Sequence, residues 1–357
     1  MTIDIEEISE GVFKRRHVKD DGRDVFLYGH RPPDEPALKK GLSLDGASSE
    51  LRWHPLRAEW SIYAAGRQGR TYKPSAAEDP LLPSRLEGPP TEVPFSTFEI
   101  CVFENRFPSL AQTAHADWSA AIPGVRHGVS KGRCEVVVYT PEQSGSLATL
   151  TQARRILLVH AWIDRYKALF DMGCEFVLPF ENRGDEVGVT LHHPHGQIYG
   201  FPFVPGVHQS ACRAFREGFD LEQCIEDWTP IFGIVAREEM AAFAPPFARF
   251  PFEVWVAPKK KSPGPWTFST AEIDSFAFLL GDIVRRYDAY FGRPCPYMLT
   301  LHASPKSDTE DFHFTAQFYP LLRSPTKVKY LASVEQATNV FTVDILPEQT
   351  ASELRPL

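Results

Sequence analysis

Residues 176–205, FVLPFENRGDEVGVTLHHPHGQIYGFPFVP, decide how the rest of the chain is read. Val177, Leu178 and Phe180 form an apolar run that closes in Glu181-Asn182-Arg183-Gly184, residues suited both to a turn and to phosphate contacts. Val187, Val189 and Leu191 alternate with Gly188 and Thr190, which predicts a second, half-buried strand. His193-Pro194-His195-Gly196-Gln197 follows as a loop, and the chain is extended again from Ile198 to Val204. Residues two apart on a strand share a face, so His193 and His195 are expected in one cleft. Pro194 fixes φ between them, Gly196 admits a ligand close to the backbone, and Gln197 offers a neutral donor.

Such a loop suits nucleophilic attack on phosphorus. A neutral imidazole is abundant near pH 7 and is a good nucleophile. Its other ring nitrogen needs an acceptor, so that the attacking nitrogen keeps its lone pair. Donors are needed around the non-bridging oxygens. Closely spaced histidines alone could be a surface loop or an incidental metal cluster. The upstream Phe180-Glu181-Asn182-Arg183-Gly184 favours the phosphorus chemistry.

The segment resembles the active-site segment of the galactose-1-phosphate uridylyltransferases, a branch of the histidine-triad superfamily, and the similarity runs from about Arg52 to the C-terminus. The resemblance implies an α+β fold of two histidine-triad-like units, each a mainly antiparallel sheet packed with helices. It implies UMP exchange between UDP-glucose and galactose 1-phosphate by double displacement. His195 is then the nucleophile that becomes uridylylated, and Gln197 contacts the transferred phosphoryl group. His193 or backbone carbonyls orient the imidazole, while Asn182, Gly184 and Thr190 lie on the substrate. Two other readings stay open: a related adenylyl transferase or phosphorylase, and a nucleotide-sugar binder that has lost turnover.

Composition bounds the reading independently. At 357 residues two domains are expected. We divide the chain into an N-terminal arm (1–50), a catalytic unit (51–205) and a C-terminal unit (206–357). The arm is turn-rich, with a short hairpin expected around Asp20-Asp21-Gly22 and Val25–Tyr28 as its second strand. The net charge of −8 argues against a nucleic-acid partner, and no apolar run reaches the ~20 residues of a membrane helix. With an acidic start lacking a signal-peptide core, the cytoplasm is the expected compartment. The six cysteines show no C-x-x-C spacing and are expected to be free thiols.

Gly66-Arg67-Gln68-Gly69-Arg70 sets two arginines among glycines, a plausible fork for phosphate. By resemblance, Arg67 and Arg70 reach the nucleotide, usually that of the partner subunit, which implies a homodimer. The strand Phe98–Phe103 ends in Glu104-Asn105-Arg106-Phe107-Pro108-Ser109-Leu110, a segment that lines the uridine pocket in the family. Asn105 would meet the ribose or base and Phe107 the base face. Residues 147–172 carry the helical spacing of an amphipathic helix closed by Gly173.

In the second half, residues 209–243 suggest two helices broken near Pro230, and Thr270–Phe291 a strong helix capped by Thr270. The stretch Lys329-Tyr330-Leu331-Ala332-Ser333-Val334-Glu335 resembles a hexose-phosphate segment, with Lys329 on phosphate, Tyr330 beside it and Glu335 on sugar hydroxyls. The family's metal ligands are largely missing. Asp79 and Leu82 stand where the zinc site has C-x-x-C, Glu142-Gln143 where it has a third ligand, and His193 alone remains. Thr315 and Gln317 occupy the H-x-H of the second site. No metal or other cofactor is therefore expected.

Overall fold

The computed structural model describes residues 4–33, 49–69, 74–75, 78–85, 88, 90–115 and 122–357. β1 (Asp4–Ser9), β2 (Val12–Val18) and β3 (Asp24–Gly29) follow one another as antiparallel hairpins. β4 (Glu50–His54) and β5 (Glu59–Tyr63) join β7 (His127–Val129) in a separate three-stranded sheet. β6 (Ile100–Glu104), β8 (Arg133–Val138), helix α1 (Gln152–Asp171), β9 (Phe176–Arg183) and β10 (His195–Phe201) complete the first half.

The second half starts with α2 (Gly206–Arg216) and α3 (Leu221–Phe232). Strands β11 (Gly233–Ala236), β12 (Met240–Phe243) and β13 (Val254–Pro258) lead to α4 (Thr270–Phe291), β14 (Tyr297–His302) and β15 (Thr315–Pro320). A small ribbon, β16 (Leu322–Ser324) with β17 (Lys327–Val328), and helices α5 (Ser333–Thr338) and α6 (Pro347–Leu354) end the chain.

Twelve strands form one sheet in the order β1-β2-β3-β6-β8-β10-β9-β14-β15-β13-β12-β11. The seam is the antiparallel β9–β14 pair, where Phe180 faces Thr300 and Arg183 faces Tyr297. Outward from it the order is β9-β10-β8-β6-β3 on one side and β14-β15-β13-β12-β11 on the other. Register repeats too: Gln197 faces Phe180 and Gln317 faces Thr300, so 317 − 197 and 300 − 180 are both 120. The two units therefore share one sheet, joined edge to edge. Pairing across the seam removes an open edge from each unit.

Both long helices form for local reasons. Thr151 caps α1 by accepting from the Arg154 amide, and Gly173, at φ 100°, follows its end. α4 carries a complete capping box, Ser269 with Glu272, so its cap is Ser269 rather than Thr270. Arg165 of α1 makes a two-pronged buried contact with Glu135 of β8, both bonds 2.9 Å. One apolar cluster spans the seam, uniting Leu158, Trp162 and Ile198 with Leu280, Leu299 and Phe318.

Three sequence expectations are corrected here. Within residues 4–33 the expected hairpin forms as β2 and β3, but it is not a separate arm: β1–β3 extend the main sheet beyond β6, because Val25, Phe26, Leu27 and Tyr28 are all buried. Residues 187–191 are not a strand. Asp185–Val187 form a 3-10 turn between Gly184 and Gly188, both at positive φ, and the alternation reflects loop residues such as Val189 tucked inward. The break after Pro205 lies between α2 and α3, with Pro230 inside the last turn of α3, and residues 233–243 are two strands.

Candidate active site

β10 enters the sheet between β8 and β9, and its alternation decides what each face carries. Gly196, Ile198 and Gly200 are buried, and Ile198 joins the helix-covered core. His195, Gln197 and Tyr199 are half-buried on the opposite face. A Cβ on Gly196 would meet the Tyr139 hydroxyl, and one on Gly200 would lie 2.6 Å from Cys174 Sγ. Packing behind the sheet thus requires Gly196, not the approach of a ligand.

The His195 ring is held by one hydrogen bond: Nδ1 lies 2.7 Å from the His193 carbonyl oxygen. A carbonyl only accepts, so Nδ1 carries the hydrogen and Nε2 keeps its lone pair. Burial lowers the pKa of this imidazole below its ordinary value, and the hydrogen bond to His193 opposes that effect. The ring is neutral at pH 7.

His193 does not share the cleft. Its ring is buried, with Nδ1 2.7 Å from Asp79 Oδ2 and Nε2 2.7 Å from the Thr140 carbonyl. Two acceptors on the neighbouring loops draw the ring away from His195, while its backbone carbonyl accepts from the His195 ring. Asp79 Oδ1 also accepts from the Leu81 amide at 2.9 Å. Burial disfavours the Asp79 carboxylate, but hydrogen bonds from His193 and Leu81 outweigh it and hold the pKa below the ordinary value.

A cavity opens beside His195 and Gln197, lined by Arg67, Asn105, Phe107 and Thr190. Arg67 Nη1 donates to the Phe107 carbonyl at 2.8 Å and approaches the Tyr199 hydroxyl at 3.4 Å, which places this arginine on the cavity wall of its own chain. Arg70 lies outside the described residues. Asn105 Oδ1 accepts from the Phe107 amide at 2.9 Å and fixes that turn.

Other predicted positions are elsewhere. Asn182 is exposed on β9 opposite Met298, and it does not line the cavity. Gly184 is a steric requirement, since a Cβ there would lie 2.7 Å from Pro296 Cβ. Lys329 and Glu335 are buried against each other in an ion pair, and Lys329 also donates to the Thr342 carbonyl. Tyr330 is exposed. None of these three lines the cavity. Leu81, Glu92 and Phe103 do line it. Of these, Leu81 and Glu92 come from a proline-rich loop whose sequence has no periodicity to single them out.

Neither set of family metal positions fits a metal. In the first, Asp79 and His193 hydrogen-bond each other, Leu82 is aliphatic and Gln143 is an amide whose Nε2 lies 3.4 Å from Asp79. In the second, His302 spends Nδ1 on His208 at 2.9 Å and Nε2 on Thr300 at 2.7 Å, and Gln317 donates to Thr315 at 2.8 Å. Neither offers a converging set of free ligands.

Residues 44–205 match the family described as galactose-1-phosphate uridyl transferase, N-terminal domain, and residues 233–357 match its C-terminal domain. The chain belongs to the galactose-1-phosphate uridylyltransferase family. It is 35% identical over 317 residues to the galactose-1-phosphate uridylyltransferase of Thermotoga maritima, covering 86% of this chain and 98% of that one. With the Streptomyces lividans enzyme of that name it shares 31% over 356 residues, 94% of this chain and 95% of the relative. A solved uridylyltransferase structure matches with a TM-score of 0.76 at 25% identity, covering 86% of this chain and 97% of that one. An Arabidopsis thaliana ADP-glucose phosphorylase shares the fold, with a TM-score of 0.64 at 23% identity over 87% of this chain and 99% of that one. Membership makes the chain a transferase. Among the described residues no helix is long and apolar enough to cross a membrane.

Proposed function

We propose that the chain exchanges UMP between UDP-glucose and galactose 1-phosphate through a uridylyl-histidine at His195. The supporting observation is the 2.7 Å hydrogen bond from Nδ1 to the His193 carbonyl, which leaves Nε2 unprotonated in a ring that lines the cavity. In the first half-reaction Nε2 bonds to the α-phosphorus of UDP-glucose. The bond from that phosphorus to the bridging oxygen breaks, and glucose 1-phosphate leaves with the electron pair. In the second, a phosphate oxygen of galactose 1-phosphate attacks the same phosphorus. The N–P bond breaks, UDP-galactose departs and the neutral ring returns. Nδ1 keeps its proton and donates it in a hydrogen bond to the His193 carbonyl throughout, and the departing sugar phosphate is a stable anion, so no general acid is required.

Gln197, Thr190 and Arg67 supply donors for the non-bridging oxygens, and Asn105 with Phe107 holds the nucleoside. On the hexose side, Lys329 and Glu335 fix the segment that carries Tyr330. The working form is a cytoplasmic homodimer in this reading, which light scattering on the purified chain tests.

The decisive experiment uses UDP-glucose radiolabelled in the α-phosphate. Wild-type protein takes up acid-labile label and releases glucose 1-phosphate. His195→Ala does neither, and His195→Gly regains exchange when imidazole is added. Equal labelling of His195→Ala refutes the mechanism.

A further inference from the structure

Glu92 lines the same cavity as His195 and Gln197, yet nothing in the phosphoryl chemistry uses it. It is 5% exposed, and two cations reach its Oε2: Lys19 Nζ at 2.6 Å and Arg23 Nη1 at 2.8 Å. Both come from the turn between β2 and β3, and both are buried themselves. Asp21 holds the Arg23 guanidinium, Nε to Oδ2 at 2.8 Å, and the Glu104 carbonyl accepts from Nη1 at 3.1 Å. Lys19 Nζ stands 4.7 Å from the centre of the Phe103 ring, another cavity residue. The hairpin precedes residue 44, where the match to the family begins.

Burying three charged side chains is a poor way to gain stability, because desolvation cancels much of the attraction. Desolvation is indeed the largest influence on Lys19 and lowers its pKa. What the cluster achieves is a carboxylate fixed in place by two cations at the cavity wall that Phe103 and Leu81 also line. The two cations share Oε2, which leaves Oε1 to accept from a ligand. A carboxylate accepts and never donates, so it discriminates between bases by the edge they present.

We propose that Glu92 is a specificity-determining residue that accepts the N3–H of a uracil base. This rests on the reading of the cavity as a nucleotide site with phosphate at His195. Uracil presents an N–H at N3, whereas cytosine presents a lone pair there, which a carboxylate repels. The aromatic and aliphatic neighbours, Phe103, Phe107 and Leu81, supply contacts to either ring, so hydrogen bonding carries the choice. Lys19 and Arg23 act through Glu92 as positioning residues.

Calorimetry with UMP, CMP, AMP and N3-methyl-UMP on the full chain tests this without altering the protein. UMP is expected to bind at least about tenfold more tightly than CMP or N3-methyl-UMP, the range of a hydrogen bond to a charged group. Glu92→Gln is expected to bring UMP and CMP within about threefold of each other, because an amide can accept from uracil or donate to cytosine N3. Equal binding of UMP, CMP and N3-methyl-UMP by the wild type refutes the role of Glu92 and leaves the nucleotide site standing. So does preference for AMP. Absence of binding by all four refutes both the inference and the function it rests on.

Discussion

Glu181 is the most perturbed carboxyl at the seam of the sheet, and replacing it tests the physical account of that seam. Its side chain is buried on the helix-covered side, one residue before Asn182. Tyr297 donates to Oε1 at 2.9 Å, and Oε2 has no hydrogen-bond partner. Burial raises its pKa from an ordinary 4.5 to about 7, with the Tyr297 hydrogen bond and the Arg183 charge pulling the other way. The sign follows from proton counting. Below pH 4.5 folded and unfolded chains both hold the proton, and the neutral carboxyl costs nothing. Between 4.5 and 7 the unfolded chain releases it while the folded chain does not, so stability falls as pH rises. Above 7 the loss is complete. The gap of 7 − 4.5, about 2.5 pH units at ~1.36 kcal/mol each, sets that loss at about 3 kcal/mol. Glu181→Gln keeps an acceptor for Tyr297 and turns an amide donor toward the buried Tyr139 hydroxyl that faces this side chain. Urea unfolding of both proteins from pH 5 to pH 8 is the assay. The variant should gain on the wild type by up to about 3 kcal/mol as pH rises. A difference that stays flat across that range, or a variant that loses ground as pH rises, would show that Glu181 is already ionised in the fold.

Two further outcomes follow from the site. Asp79→Ala removes the acceptor for His193 and for the Leu81 amide, and should cost about 2–4 kcal/mol in urea unfolding, with Asp79→Asn recovering part of it; a loss under ~0.5 kcal/mol for the alanine variant contradicts the contact's importance. Because burial depresses the His195 pKa, the pH profile of single-turnover uridylylation should have its acid midpoint below 6.5, and prior incubation with EDTA should leave its plateau unchanged; a midpoint above 6.5, or activity lost to EDTA and restored by zinc, overturns the respective claim.

Legibility in the sequence tracked how local each cause was. The helices at 152–171 and 270–291 could be read because caps and apolar period lie within the segment itself. His195 and Gln197 are singled out by the family resemblance, and the period of two in β10 puts them on one face with Gly196 and Ile198 inside, whereas the same period also pairs His195 with His193, which lies before the strand. Residues 187–191 misled for the same reason in reverse: a loop pinned by buried Val189 between Gly188 and later residues copies a strand's alternation without its hydrogen bonds. The C-terminal pair is a different case. Lys329 and Glu335 look like surface charges awaiting a sugar phosphate, but α5 brings Glu335 six residues on to face Lys329, and the two satisfy each other.

What no local reading could supply were contacts between segments far apart in the chain. Asp79 and His193 are 114 residues apart, and Lys19 and Glu92 are 73 apart. Each joins two charged or polar residues from separate loops or turns, and in each case burial is what makes the pairing obligatory. The missing metal ligands were visible in the sequence, yet what stands in the first site was not. Asp79 and the Thr140 carbonyl grip both nitrogens of His193, so its backbone carbonyl is held where the His195 ring needs an acceptor. Orientation of the His195 ring is thus a property of hydrogen bonds among protein groups, and the same loop that anchors His193 through Asp79 sends Leu81 and Glu92 into the cavity wall. Scaffold and binding surface share one loop here, which is why a change at Asp79 should be felt in nucleotide affinity as well as in stability.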